Sequence, residues 1–139
     1  MRYLLDTCVL SELVKAKRDT NVIDWFEIRK PHELYTSAMT WGELNRGVDR
    51  MPTSKRRAEL TRWLDQLVIG FEDRVLAFDQ TVARTWSQMT IQADASGKPM
   101  AAFDSIIAAT ARAHDCKLVT RNVRDFSQAG VEIVNPWSS

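Results

Sequence analysis

Cysteine, histidine and glycine are all scarce in this chain, and their scarcity removes several chemistries at once. The two cysteines, Cys8 and Cys116, have no metal-ligand spacing and sit in or beside apolar segments, where a free thiol behaves as a small hydrophobe. A reducing, cytoplasmic compartment is the expectation. The two histidines, His32 and His114, have no serine or cysteine partner at a recognisable spacing, so a nucleophile-and-base mechanism has no support. His114 reads as packing or capping late in a helix, and His32 as an exposed loop residue. The five glycines form no phosphate-cradling loop. No segment reaches the ~18 apolar residues that span a bilayer. The opening MRYLLDTCVL, interrupted by Asp6, has neither the apolar run nor the cleavage site of an export signal, so no membrane contact is expected. A strong charge of one sign is missing as well. The 19 basic and 18 acidic residues leave a formal charge of +1, which excludes the global field of a protein that coats nucleic acid.

Any nucleic-acid contact must therefore be local. From Arg46 to Arg62, the basic residues Arg46, Arg50, Lys55, Arg56, Arg57 and Arg62 face only Asp49 and Glu59, which makes either a phosphate-contacting patch or a solvated helix face. With 45% hydrophobic and 27% charged residues the composition is that of an ordinary globular protein. A length of 139 residues suits one folding unit over 1–139, large enough to bury roughly two thirds of its unfolded surface.

Strands and helices alternate along the chain. Tyr3 to Leu5 reads as a first strand, Leu34 to Ser37 as a second, Val75 to Phe78 as a third, Lys117 to Thr120 as a fourth and Glu132 to Val134 as a fifth. Between them, apolar residues recur three and four apart: Leu10, Leu13 and Val14; Val22, Trp25 and Phe26; Trp41, Leu44 and Val48 after Thr40; Leu60, Trp63, Leu64 and Leu67 up to Gly70; Val82, Trp86, Met89 and Ala93 after Asp79. A last helix, roughly Ala101 to His114, carries Phe103, Ile106, Ile107, Thr110, Ala111 and His114 on one stripe. This alternation predicts an α/β fold with a central, mainly parallel sheet of four to five strands between helices. Trp25, Trp41, Trp63 and Trp86 fall on apolar stripes and read as core or interface rather than base-stacking platforms, while Trp137 is available to a neighbouring subunit.

Open parallel sheets place ligand sites beyond the carboxyl ends of their strands, which makes the acids there informative. Asp6 directly follows the first strand, Glu43 lies in the first turn of the helix after the second, Asp104 begins the Ala101 helix, and Asp125 comes just after the fourth strand. Taken singly, Asp6 also reads as a helix cap, Glu43 and Asp104 as first-turn acids on the helix dipole, and Asp125 as a solvated turn residue. Taken together, the four can meet on one rim. Glu43 and Asp104 are followed one turn later by Gly47 and Ala108, small enough to leave room for an ion and a phosphate. Clustered carboxylates repel unless a cation compensates, and magnesium or manganese suits an all-oxygen set.

The segments YLLDTCVLSEL, WGEL, AAFDSIIAATA and VTRNVRDF resemble, in that order, the PIN domain of VapC-type toxins, and with the ending VEIVNPW the likeness runs over nearly the whole chain and is nearest to the FitB-like branch. The resemblance implies a PIN-domain α/β/α sandwich and a magnesium- or manganese-dependent endoribonuclease. It implies a toxin of a type II toxin–antitoxin system, inhibited by a VapB/FitA-like antitoxin, with a homodimer that reaches promoter DNA through that antitoxin. By position, Asp6 and Asp104 match the principal metal ligands, Glu43 the glutamate of the acidic cluster and Asp125 its last acid, a place for which Asn122 competes and Asp125 is favoured by charge. Thr7, Thr120 and Asn122 match polar residues bordering that cluster, and Arg121 and Arg124 are candidates to grip RNA phosphates or simply surface charge. One departure is visible: Cys8 stands where the family commonly has asparagine after Asp-Thr, which bears on the support of the first helix rather than on the ligands.

Two functions from other classes remain open at this level. A receiver-type phosphoacceptor domain would need an adjacent acidic pair after the first strand, whereas Asp6 precedes Thr7; Asp79 is the other acid it could use. A catalytically silent module that only sequesters a partner would keep the fold without needing the acids.

Overall fold

The computed structural model describes residues 1–138. Its strands are β1 (Tyr3–Leu5), β2 (Leu34–Ser37), β3 (Val75–Leu76), β4 (Lys117–Val119) and β5 (Ile133–Val134). All pair in parallel, in the order β3-β2-β1-β4-β5. The helices are α1 (Thr7–Leu13), α2 (Thr20–Glu27), α3 (Ala38–Asp49), α4 (Lys55–Phe71), α5 (Gln80–Ala95) and α6 (Ala102–Ala113). Side chains of a strand alternate between faces, so consecutive residues of the central strands serve two separate cores. Leu4 and Leu118 join Val82, Met89 and Ile107 of α5 and α6. Leu5 and Val119 join Val9, Leu10, Val22, Leu44 and Leu64 of α1 to α4. The result is an α/β/α sandwich whose central strands are buried on both faces. Among the described residues no helix is long and apolar enough to cross a membrane.

Helix starts follow from capping chemistry. Asp6, Asp19, Ser37, Ser54 and Asp79 each accept a first-turn backbone N–H at α1, α2, α3, α4 and α5. Thr40 does not open α3 as expected; Ser37 does, taking the Thr40 N–H at 3.0 Å. The third, fourth and fifth strands are each shorter than their apolar runs, and Phe78, beyond β3, is 44% exposed. The stripe expected on α6 is also corrected. That helix lies between the sheet and α5, so Ser105 and Ile107 to Ala111 are buried nearly all round, while Phe103 in the first turn is 46% exposed. Trp137 packs against the chain's own core beside α2. It needs no second subunit for cover.

α4 does not stop at Gly70. It runs on to Phe71, and the left-handed residue that ends it is Glu72, at φ 52° and ψ −121°. A side chain is strained in this region and glycine is not. Glu72→Gly is expected to stabilise the protein by about 1 kcal/mol, read as a rise in the urea midpoint; an unchanged or lowered midpoint would show that the turn carries no strain.

Glu12, near the end of α1, is only 3% exposed. Its carboxylate accepts Lys15 Nζ at 2.9 Å and the Asp19 backbone N–H at 2.9 Å, tying α1 to the cap of α2. The Lys15 bond first, and then the Asp19 N–H, hold its pKa below the ordinary 4.5. A depressed carboxylate contributes stability above the unfolded value and loses it as pH falls through the folded one. Glu12→Gln should therefore lower the urea midpoint at pH 7, and the gap from the parent should close as pH is taken below about 4.5. A gap that does not depend on pH would mean that the ionised form is not what matters.

Candidate active site

Asp6 and Thr120 leave the carboxyl edge of the sheet directly. The Asp6 N–H donates to the Val119 carbonyl at 2.9 Å, and the Thr120 N–H to Val134 at 3.0 Å, so Asp6 and Thr120 emerge side by side from the two central strands. Asp6 is 5% exposed, and a buried carboxylate is tolerable only when donors surround it. It has three. The Thr7 N–H donates to Oδ1 at 2.8 Å, the Thr120 hydroxyl to Oδ2 at 2.8 Å, and the Cys8 thiol to Oδ2 at 3.6 Å. Thr120 in turn accepts the Asn122 N–H at 3.0 Å, which fixes the loop after β4. Burial, with the Asp6 charge adding, raises the Cys8 thiol, so it remains a donor. Cys8 thus does part of the bonding expected of an asparagine, at the longer reach of sulfur.

The network continues to the second acid. The Thr7 hydroxyl donates to Glu43 Oε1 at 2.8 Å, coupling α1 to α3. Glu43, half-buried, borders two cavities of about 260 Å³ each; Arg46, Arg50 and Phe103 line the first, and Thr7, Val48 and Trp63 the second. On the other side, Asp104 and Asp125 line one wall of a cavity of about 480 Å³. Asp104 sits in the first turn of α6, whose N-cap Ala101 has no side chain to offer, so the carboxylate lies against the positive end of that helix. Its pKa is nevertheless pushed up to about 6, chiefly by burial and then by the negative charges of Asp6, Asp125 and Glu43. Four acids from four separate segments therefore share one electrostatic neighbourhood.

Among the described residues no three His, Cys, Asp or Glu side chains are gathered tightly enough to enclose an ion by themselves. The donor set still fits a hard divalent cation. It is all oxygen, and magnesium keeps several waters and takes only one or two carboxylates directly. A closed protein cage is not required.

The other expected residues are divided. Arg124 lines the large cavity beside Asp125, whereas the Arg121 guanidinium lies over the Trp137 ring at 5.4 Å. Asn122 is exposed and contributes its backbone, not its amide, to the network. Of the basic stretch, Arg46 and Arg50 flank Glu43, while Arg56 turns to the Val14 carbonyl and, at 3.9 Å, to Glu59. Gly47 is not forced by crowding, since a Cβ there would meet nothing within 4 Å. Asp79 is occupied as the cap of α5, accepting the Val82 N–H at 3.0 Å. Lys98 and Gln128, which also line the large cavity, escaped notice in the sequence. Lys98 lies between Gly97 and Pro99, which register only as a helix break; a lysine just past a helix end and opposite a strand-end acid was the available signal.

Residues 3–132 match the family described as the PIN domain. The chain belongs to the PIN-domain family. Among relatives of this PIN domain, VapC ribonuclease Y4jK of Sinorhizobium fredii is 41% identical over 96% of either chain. Toxin FitB of Neisseria gonorrhoeae is 36% identical, over 96% of this chain and 97% of its own. The solved structure of FitAB bound to an IR36 DNA fragment superposes with a TM-score of 0.94 at 34% identity, covering 99% of this chain and 96% of that one.

The Asp6 network makes Thr120 the most consequential uncharged residue of the site. Thr120→Val removes the hydroxyl that serves both Asp6 and the Asn122 N–H, and should cost about 1–3 kcal/mol in urea unfolding at neutral pH. A variant as stable as the parent would mean that Asp6 does not depend on this bond.

Proposed function

We propose that this PIN domain is a metal-dependent endoribonuclease and the toxin of a type II toxin–antitoxin pair. The observation that carries the proposal is the placement of Asp6, Glu43, Asp104 and Asp125 around one edge of the fold, where burial first and then the charges of the other three raise the Asp104 carboxyl. Negative charge gathered beside a partly buried carboxylate favours a bound cation. Relatives called ribonuclease and toxin supply the class of reaction.

In this proposal Asp6, Glu43, Asp104 and Asp125 hold magnesium or manganese. The ion, when bound, supplies polarisation of a phosphodiester and activation of the attacking water. The chain's own residues do the positioning. Thr120 and Thr7 fix the Asp6 carboxylate, and Thr7 fixes Glu43, so the two side chains are preorganised. Arg124 on one side of the acids and Arg46 and Arg50 on the other are in place to attract the phosphates of a strand laid across them. The antitoxin would be a FitA- or VapB-like protein that also carries the complex to promoter DNA, in line with the DNA-bound FitAB structure. A homodimer accords with Trp86 on α5 and Phe103 on α6, which are 38% and 46% exposed. Action on RNA fits a cytoplasmic protein.

Single-stranded RNA incubated with the purified chain should be cut in magnesium or manganese and left whole in chelator. Asp6→Asn and Asp104→Asn should each slow cleavage by at least about 100-fold while circular dichroism stays that of the parent. Folded variants that cut at the parental rate would rule the proposal out.

A further inference from the structure

The cavity lined by Asp104 and Asp125 is also lined by residues outside the acidic cluster. At about 480 Å³ it falls within the roughly 300–1,000 Å³ of pockets that take a whole small molecule. Lys98, Met100, Arg124 and Gln128 line it together with the acids. Both walls are fixed by backbone bonding. On one side, α5 ends in a turn with Gly97 at φ 73°, and the Lys98 N–H donates back to the Ala93 carbonyl at 3.1 Å. On the other, the segment carrying Arg124 and Gln128 is pinned by Phe126 and Ala129, 1% and 0% exposed, with the Ala129 N–H on the Phe126 carbonyl at 3.0 Å. Among the described residues, the side chains of Lys98, Arg124 and Gln128 make no ion pair and no hydrogen bond within the chain. Their donors converge on the same space and are free for a ligand.

We propose that this cavity is the subsite for the nucleotide next to the scissile phosphodiester, and that Gln128 is a base-selecting residue. The assignment rests on the acids being the place where RNA is cut. Three features argue for a nucleotide. Two cations, Lys98 and Arg124, share the cavity lining with the acids, where they can hold the next phosphate along a strand beside the one under attack. Met100, half-buried against the core, gives an apolar wall for a base face. The Gln128 amide, with one acceptor and two donors, has the chemistry to read a base edge. By contrast the cavity between Arg46, Arg50 and Phe103 has cations but no amide in its lining, so it can hold backbone without selecting a base.

The test is binding of four fluorescent RNA hexamers, each rich in one base, followed by anisotropy in calcium, alongside cleavage in magnesium or manganese. Lys98→Ala should weaken every hexamer by about fourfold at 0.15 M salt and reduce the salt slope by about 0.7, the counterion-release effect of one single-strand contact. Lys98→Arg should restore both. Gln128→Ala should leave the average affinity within about twofold but erase a parental preference of about fivefold, the worth of one net hydrogen bond. If both alanine variants bind and rank the hexamers as the parent does, or the parent binds none of them, the subsite is wrong, even where the parent still cuts RNA. If the parent cuts no RNA while the variants shift binding as expected, the cavity holds a nucleotide with Gln128 selecting its base, and the nuclease proposal falls together with the place next to a scissile bond.

Discussion

Repulsion among carboxylates at one edge of a parallel sheet is the constraint around which this molecule is arranged. Asp6, Glu43, Asp104 and Asp125 come from segments spread over most of the chain, yet the charges of the other three reach Asp104 and add to the burial that raises its carboxyl. A fold selected for stability alone would disperse them or pair them with lysine or arginine. Among the described residues none of the four takes part in an ion pair, although the chain forms such pairs elsewhere, as between Lys117 and Glu132 at 2.9 Å. The unfavourable cluster persists because the sheet fixes where its strands end and the helices beyond it begin.

How the fold tolerates that cluster is clearest at Asp6. There the carboxylate that caps α1 is the one proposed as a metal ligand. One oxygen accepts the N–H of Thr7, and the other takes the Thr120 hydroxyl and the Cys8 thiol. The bonds that satisfy the buried carboxylate also aim it, because each donor is attached to backbone held by the sheet or by α1. Cys8 weakens this arrangement relative to an amide, since a thiol is a poorer donor at a longer distance. More of the restraint on Oδ2 therefore falls on Thr120, which is wholly buried and itself anchored by the Asn122 N–H.

Much of this could be seen in the sequence, for identifiable reasons. Strand order cannot be read from one chain, but strand existence can. Tyr3 to Leu5 is a short apolar run ended by Asp6, and β1 coincides with it; the strand read over Lys117 to Thr120 is found as β4, without Thr120. Asp6, Asp104 and Asp125 were visible because each lies at an element boundary, whereas Glu43, expected in a first turn, lies in the second turn of α3 because the helix opens at Ser37 and not at Thr40. What stayed hidden depends on tertiary contact. Phe103 has the spacing of a buried residue, yet α6 is covered on its other sides and that position faces outward. Gly70 has the composition of a helix end, yet the turn falls at Glu72. Lys98 and Gln128 are thirty residues apart in number and line one cavity only through the tertiary fold.

The near-zero net charge acquires a meaning once the cations are located. A formal +1 gives no long-range attraction to RNA, and single cations at this surface act over about a Debye length, roughly 8 Å at physiological salt. Lys98 and Arg124 on one side of the acids, and Arg46 and Arg50 on the other, are felt only by a strand already lying across the edge of the sheet. A strongly basic surface would hold any RNA equally and leave little to distinguish one sequence from another. Here the electrostatic contribution is confined to the immediate flanks of the site, so shape and the few unpaired hydrogen-bonding groups in the cavities must carry a larger share of the choice between substrates.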